Sequence, residues 1–134
     1  MATILQTYGT EESIAGTALD NLADGSKVVL EVDNSANLHI ADDYDVEIVG
    51  ASGGVVDIYR AGSNTSANFA LAADIVGVWD FVKSVDMTAT KKKVDFRLEQ
   101  LKKYNAILIV NSTGSALSAT GSTVKRQGAD LTNA

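Results

Sequence analysis

His39 is the only histidine in this 134-residue chain, and an imidazole is the side chain best suited to moving a proton near neutral pH. Asp42 and Asp43 lie close enough in sequence to serve as its carboxylate partner. The one G-x-S-x-G match, Gly50-Ala51-Ser52-Gly53-Gly54, precedes a strand where a nucleophile elbow would open a helix, and the serines crowd into turn-like segments. Flanked by Leu38 and Ile40, His39 reads more simply as a strand residue facing solvent or a subunit contact. Asp33, Asn34, Asp42, Asp43 and Asp45 form the densest group of hard oxygen donors. Their spacing lacks the alternating ligands, central Gly and distal Glu of a calcium loop, so turn-forming aspartates account for them. Lys91, Lys92 and Lys93, followed by Lys102 and Lys103, offer a phosphate-binding patch. Without interleaved aromatics they lack a base-stacking platform, and they read as solvated loops that flank a strand and guard it against edge pairing.

The remaining candidates are weaker still. Gly50, Gly53 and Gly54 precede a strand and do not open a helix beside a lysine, as a phosphate loop requires. Asn64-Thr65-Ser66 and Asn111-Ser112-Thr113 match the glycosylation pattern but read as loop or turn chemistry. Trp79 and Phe81 sit two residues apart on a Val-rich run. On a half-buried strand such residues face the core; on an open sheet face Trp79 would stack on a sugar ring. The expectation is no catalytic, cofactor or metal site, and a chain that is not an enzyme.

Composition narrows the class. With 46% hydrophobic and 21% charged residues the chain is globular in type, and its length suffices to bury roughly two-thirds of the surface of the unfolded form. There are no cysteines, so disulfides and thiolate chemistry are excluded. A net charge of −6 disfavours broad attraction to nucleic acid. No apolar run reaches the ~18 residues of a membrane helix, and the N-terminus lacks a basic n-region and continuous h-region. A soluble, unexported chain with no nucleic-acid or membrane partner is expected.

The elements that would position these residues are strands. In "KVVLEVD", "YDVEIV", "VVDIY", "VWDFV" and "VDFRLE", apolar and polar residues alternate with period two, and Gly, Asn, Asp and Ser punctuate the gaps. Residues 44–60 read as a hairpin around Gly50, Gly53 and Gly54. Residues 61–73 read as a long loop. Residues 104–127 read as a meander of three short strands broken at "NSTG" and "TGS". The first sixteen residues are weakly patterned, with Ile4, Leu5 and Tyr8 as a short strand, and read as an arm (1–16) ahead of one β domain (17–134). About eight strands without a long amphipathic helix predict an all-β, single-domain antiparallel β-sandwich or barrel.

One resemblance runs through these pieces. "LADGSKVVLEVDNSANLHIADDYDVEIVGAS", "IVGVWDF" and "LIVNSTGSALSATGSTVKRQ" resemble, in that order, a pattern of small virion proteins of tailed bacteriophages, over roughly residues 21–127. The family includes capsid cement or decoration proteins. The resemblance implies a jelly-roll-like fold, a homotrimer on the outer capsid surface, and contact with the major capsid protein that stabilises the joins between capsomers. It implies synthesis in the host cytoplasm and a structural role. The chain departs from the pattern at Leu101-Lys102-Lys103-Tyr104, where a proline-rich turn is expected, and in its "KRQGADLTNA" ending. Ile4, Leu5 and Tyr8 are the expected capsid or subunit contacts. The alternative is a tail or head-fibre adhesion module that binds a host-surface glycan through Trp79.

Overall fold

A computed structural model describes residues 4–34, 39–63 and 79–133. Among them are nine strand segments and no helix: β1 (Ile4–Tyr8), β2 (Glu12–Ser13), β3 (Lys27–Asp33), β4 (Ala41–Val49), β5 (Val55–Ser63), β6 (Asp80–Asp86), β7 (Lys91–Glu99), β8 (Tyr104–Ser112) and β9 (Thr123–Asn133). They form two antiparallel sheets. One has the order β1-β9-β4-β7, with β2 continuing along β9 beside β1; the other has the order β3-β8-β5-β6. The protein is a β-sandwich. The first strand lies beside the last, and β3 lies beside β8, an order compatible with a jelly roll.

Because side chains alternate across a strand, the period-two pattern selects one face of each strand for the space between the sheets. In β4, Tyr44, Val46 and Ile48 are buried while Asp43, Asp45 and Glu47 are partly exposed. Val56 and Ile58 of β5, Val85 of β6, Leu98 of β7, Ile107 and Ile109 of β8, and Val124 of β9 complete the core. The β2–β3 connection adds Ala15 and Leu19 to the same cluster. Full burial of a side chain such as Leu19 contributes about 1.5–3 kcal/mol.

Two expected connections differ from the structure. Residues 44–60 are not a hairpin: β4 and β5 lie in opposite sheets. Their link is held from outside, with Gly50 N–H donating to Thr90 O at 2.9 Å and Met87 N–H to Gly54 O at 3.1 Å. Gly54 has φ +66, and a Cβ there would come within 2.5 Å of Thr113 Cα. Residues 104–127 are likewise not a three-strand meander. β8 and β9 belong to different sheets, and between them Leu117 makes only an isolated bridge to Gly50. Alternation reports which way side chains face, and it carries no information on which strand accepts the backbone hydrogen bonds.

The expected N-terminal arm also has a definite place. Across 4–13, the backbone pairs with β9 of the same chain, Tyr8 opposite Ala129 and Glu12 opposite Arg126. Residues 9–11 oppose only 127 and 128, so a β-bulge separates β1 from β2.

Candidate functional site

The outer face of the β1-β9-β4-β7 sheet carries Asp43, Asp45, Lys91 and Lys93 of the charges singled out in the sequence. Arg97 of β7 stands directly opposite Asp43 of β4 and donates to both of its oxygens, Nε at 2.7 Å and Nη2 at 2.9 Å. That hydrogen-bonded guanidinium holds the Asp43 carboxyl below the usual carboxylate range, against the opposing effect of burial. Lys93 pairs with Asp45 at 3.0 Å and Lys91 with Glu47 at 3.0 Å; the Asp45 contact raises the Lys93 ammonium. Lys91, Lys92 and Lys93 thus begin β7 and do not form a loop, as the sequence suggested; two of them belong to a cross-strand charge ladder. Lys102 and Lys103 do lie between strands, with Lys103 Nζ 5.5 Å from the centre of the Tyr104 ring.

A hollow of about 470 Å³ opens on this face, lined by Glu11, Asp43, Asp45, Asp95, Arg97 and Gln127. Asp45 and Asp95 face each other directly across the β4–β7 ladder, an arrangement that repels unless cations intervene. No group of three or more His, Asp or Glu among the described residues is arranged to hold a metal ion.

The acidic run is divided by the strand itself. Asp43 and Asp45 face outward, whereas Asp42 shares the inward parity of Tyr44 and Val46 and is fully buried. Its partner is Arg126 of β9, whose Nε lies 3.0 Å from Asp42 Oδ2. Arg126 Nη1 also reaches Glu12 of β2. Burial works against the Arg126 charge, and pairing with Asp42 and Glu12 outweighs it and raises the group. The Tyr44 hydroxyl, 3.4 Å from Asp42 Oδ2, is pushed far above the ordinary phenol range by burial first and by the Asp42 charge second. A carboxylate on an otherwise apolar strand face demands a buried cation. That signal was present in "ADDYDVEIV", but Arg126 as the answering residue was not anticipated.

His39 does not meet Asp42 or Asp43. Its Nδ1 lies 2.7 Å from Asp130 Oδ2 of β9, and its ring packs against Gly128, where an added Cβ would fall 2.3 Å from His39 Cδ2. Asn34 fixes the backbone: His39 N–H donates to Asn34 Oδ1 at 3.1 Å and Asn34 Nδ2 to His39 O at 3.2 Å. Asn111, of the "NST" tripeptide, is buried in a similar task. Its Nδ2 donates to Leu22 O and Ser115 O, both at 2.8 Å, and its Oδ1 accepts from Thr113 N–H and Oγ1. Asn64 lies outside the described residues.

Trp79 is 5% exposed. It belongs to a second apolar cluster with Ala61, Ala106, Leu108 and Val110, against which Val29 and Tyr59 pack. Leu108 and Val110 alternate with the core residues Ile107 and Ile109, so this cluster lies on the face of the β3-β8-β5-β6 sheet turned away from the sandwich interior. Val29, Leu108 and Tyr59 are register partners across β3, β8 and β5. Phe81 of β6, 59% exposed, is paired with Tyr59 and meets it edge-on at 5.6 Å between ring centres. The two outer faces therefore differ in kind, one a charge ladder and the other an apolar belt. Ile4 and Leu5 lie in the β1 backbone ladder, and Tyr8 is 53% exposed at its end. No family model and no curated protein matches the chain.

Proposed function

We propose that the chain is a virion structural protein, a capsid cement or decoration protein that binds the outside of a tailed-bacteriophage head and stabilises contacts between capsomers of the major capsid protein. The reading is supported chiefly by the agreement of two independent features. The "DGS", "DNS" and "NSTG" punctuation resembles that of such proteins, and the strand order is compatible with the jelly roll that the resemblance implies. Phe81, 59% exposed and edge-on to Tyr59, supplies an apolar contact of the kind subunit interfaces use. A homotrimer repeated over a shell converts modest contacts into firm binding through multivalency. Acidic net charge suits an outer surface and disfavours a DNA-facing one.

The glycan-binding alternative depends on an open face of Trp79, and an indole that is 5% exposed offers little area for a sugar ring. Light scattering combined with sedimentation on empty tailed-phage heads tests the proposal. A trimer that co-sediments with heads and raises their resistance to heat is the expected result. A chain that ignores heads and adheres only to host cells would overturn it.

A further inference from the structure

Among the described side chains, four contacts that fasten the outer strand of the first sheet to the rest of the molecule run in one direction. Arg97 Nη2 donates to the Tyr8 hydroxyl at 3.4 Å, and Gln127 Nε2 donates to Gly9 O at 2.8 Å. Lys125 Nζ faces Glu11 at 3.9 Å, and Arg126 Nη1 binds Glu12. Each donor sits on β7 or β9 and each acceptor on residues 8–12; three of the four donors are cations. The contacts lie at the rim, where Tyr8 is 53% exposed and the Glu12 side chain is also 53% exposed. Two of the four are ion pairs, Lys125–Glu11 and Arg126–Glu12, and because their carboxylate side chains are 54% and 53% exposed, salt screens them.

Opening this seam leaves neither arginine stranded. Arg97 keeps its two hydrogen bonds to Asp43, and Arg126 keeps Asp42, both of β4. The heavy penalty for leaving a buried charge alone therefore does not arise. The ladder itself is interrupted by the bulge at 9–11, and β1 and β2 have β9 as their only strand partner among the described residues. Beyond Ser13 the character changes: Ile14 packs against the core and Ala15 is buried in it. β5 and β8, by contrast, are held by the two apolar clusters, which salt does not loosen.

We propose that residues 4–13 form an ionically latched strand that opens as a unit, under the control of ionic strength, while the rest of the sandwich stays closed. The inference is independent of the virion reading. Hydrogen exchange followed by mass spectrometry on the full chain, at about 50 mM and about 500 mM sodium chloride, tests it. Backbone amides of 4–13 should exchange about fivefold faster in high salt, with β5 and β8 unchanged. The double variant Glu11→Gln, Glu12→Gln should show the fast exchange at both salt concentrations. Equal protection of 4–13 in both salts, absence of protection in both, or a parallel rise in β5 and β8 would each overturn the proposal.

Discussion

Asp42 and Arg126 illustrate how much the direction of one side chain decides. Asp42 and Asp43 are adjacent, yet one is fully buried beside a guanidinium and the other anchors a surface ladder. The Oδ1 atom of Asp42 has no hydrogen-bond partner among the described residues, so the buried carboxylate depends heavily on Arg126. Asp42→Ala should lower stability by about 3 kcal/mol, because removing one member of a buried pair exposes the other to an uncompensated desolvation cost. The double variant Asp42→Leu, Arg126→Met should recover most of that loss. Urea denaturation of the three proteins measures both effects; a double variant no better than Asp42→Ala would contradict this account of the pair.

At the level of elements, the links between strands carry the specificity that the strands lack. Asn34, Asn105 and Asn111 are buried asparagines that close loops onto strand ends; Lys102 N–H donates to Asn105 Oδ1 at 3.0 Å and Asn105 Nδ2 to Lys102 O at 2.7 Å. Gly54 marks a close approach of backbone to backbone, where the β4–β5 link passes against Thr113 after β8. Gly54→Ala should therefore cost more than the ~1 kcal/mol of an ordinary loop glycine, since it adds steric overlap with backbone to an unfavourable positive φ. Thermal unfolding should show a lowered Tm for Gly54→Ala and a smaller change for Gly25→Ala, which has a similar positive φ of +78 but whose added Cβ would meet nothing within 4 Å. Both positions were legible as turn glycines. That Gly54 presses on a segment almost sixty residues away was not, because close approach is a property of the packed loops.

For the molecule as a whole, β8 is the shared element. Its alternate residues feed both apolar clusters, Ile107 and Ile109 inward and Leu108 and Val110 outward, so the two should unfold together. Trp79→Ala is expected to lower the stability of the entire domain by about 3–5 kcal/mol in a single transition followed by far-UV circular dichroism. A separate early transition would mean that the second cluster is an independent layer. The sequence by itself determined the class, because period-two alternation and turn chemistry are local and admit no long helix. The same alternation set Tyr44, Val46 and Ile48 of β4 apart from Asp45 and Glu47, and Val94, Phe96 and Leu98 of β7 apart from Asp95 and Arg97, but it left Asp42 as a turn residue and Lys91, Lys92 and Lys93 as a loop. Only the tertiary structure decided that 44–60 and 104–127 cross between sheets, that 4–13 pairs with β9, and that Arg126 answers Asp42. Backbone hydrogen bonds between strands are made by groups common to every residue, so partner choice emerges only when all the strands compete for the same core.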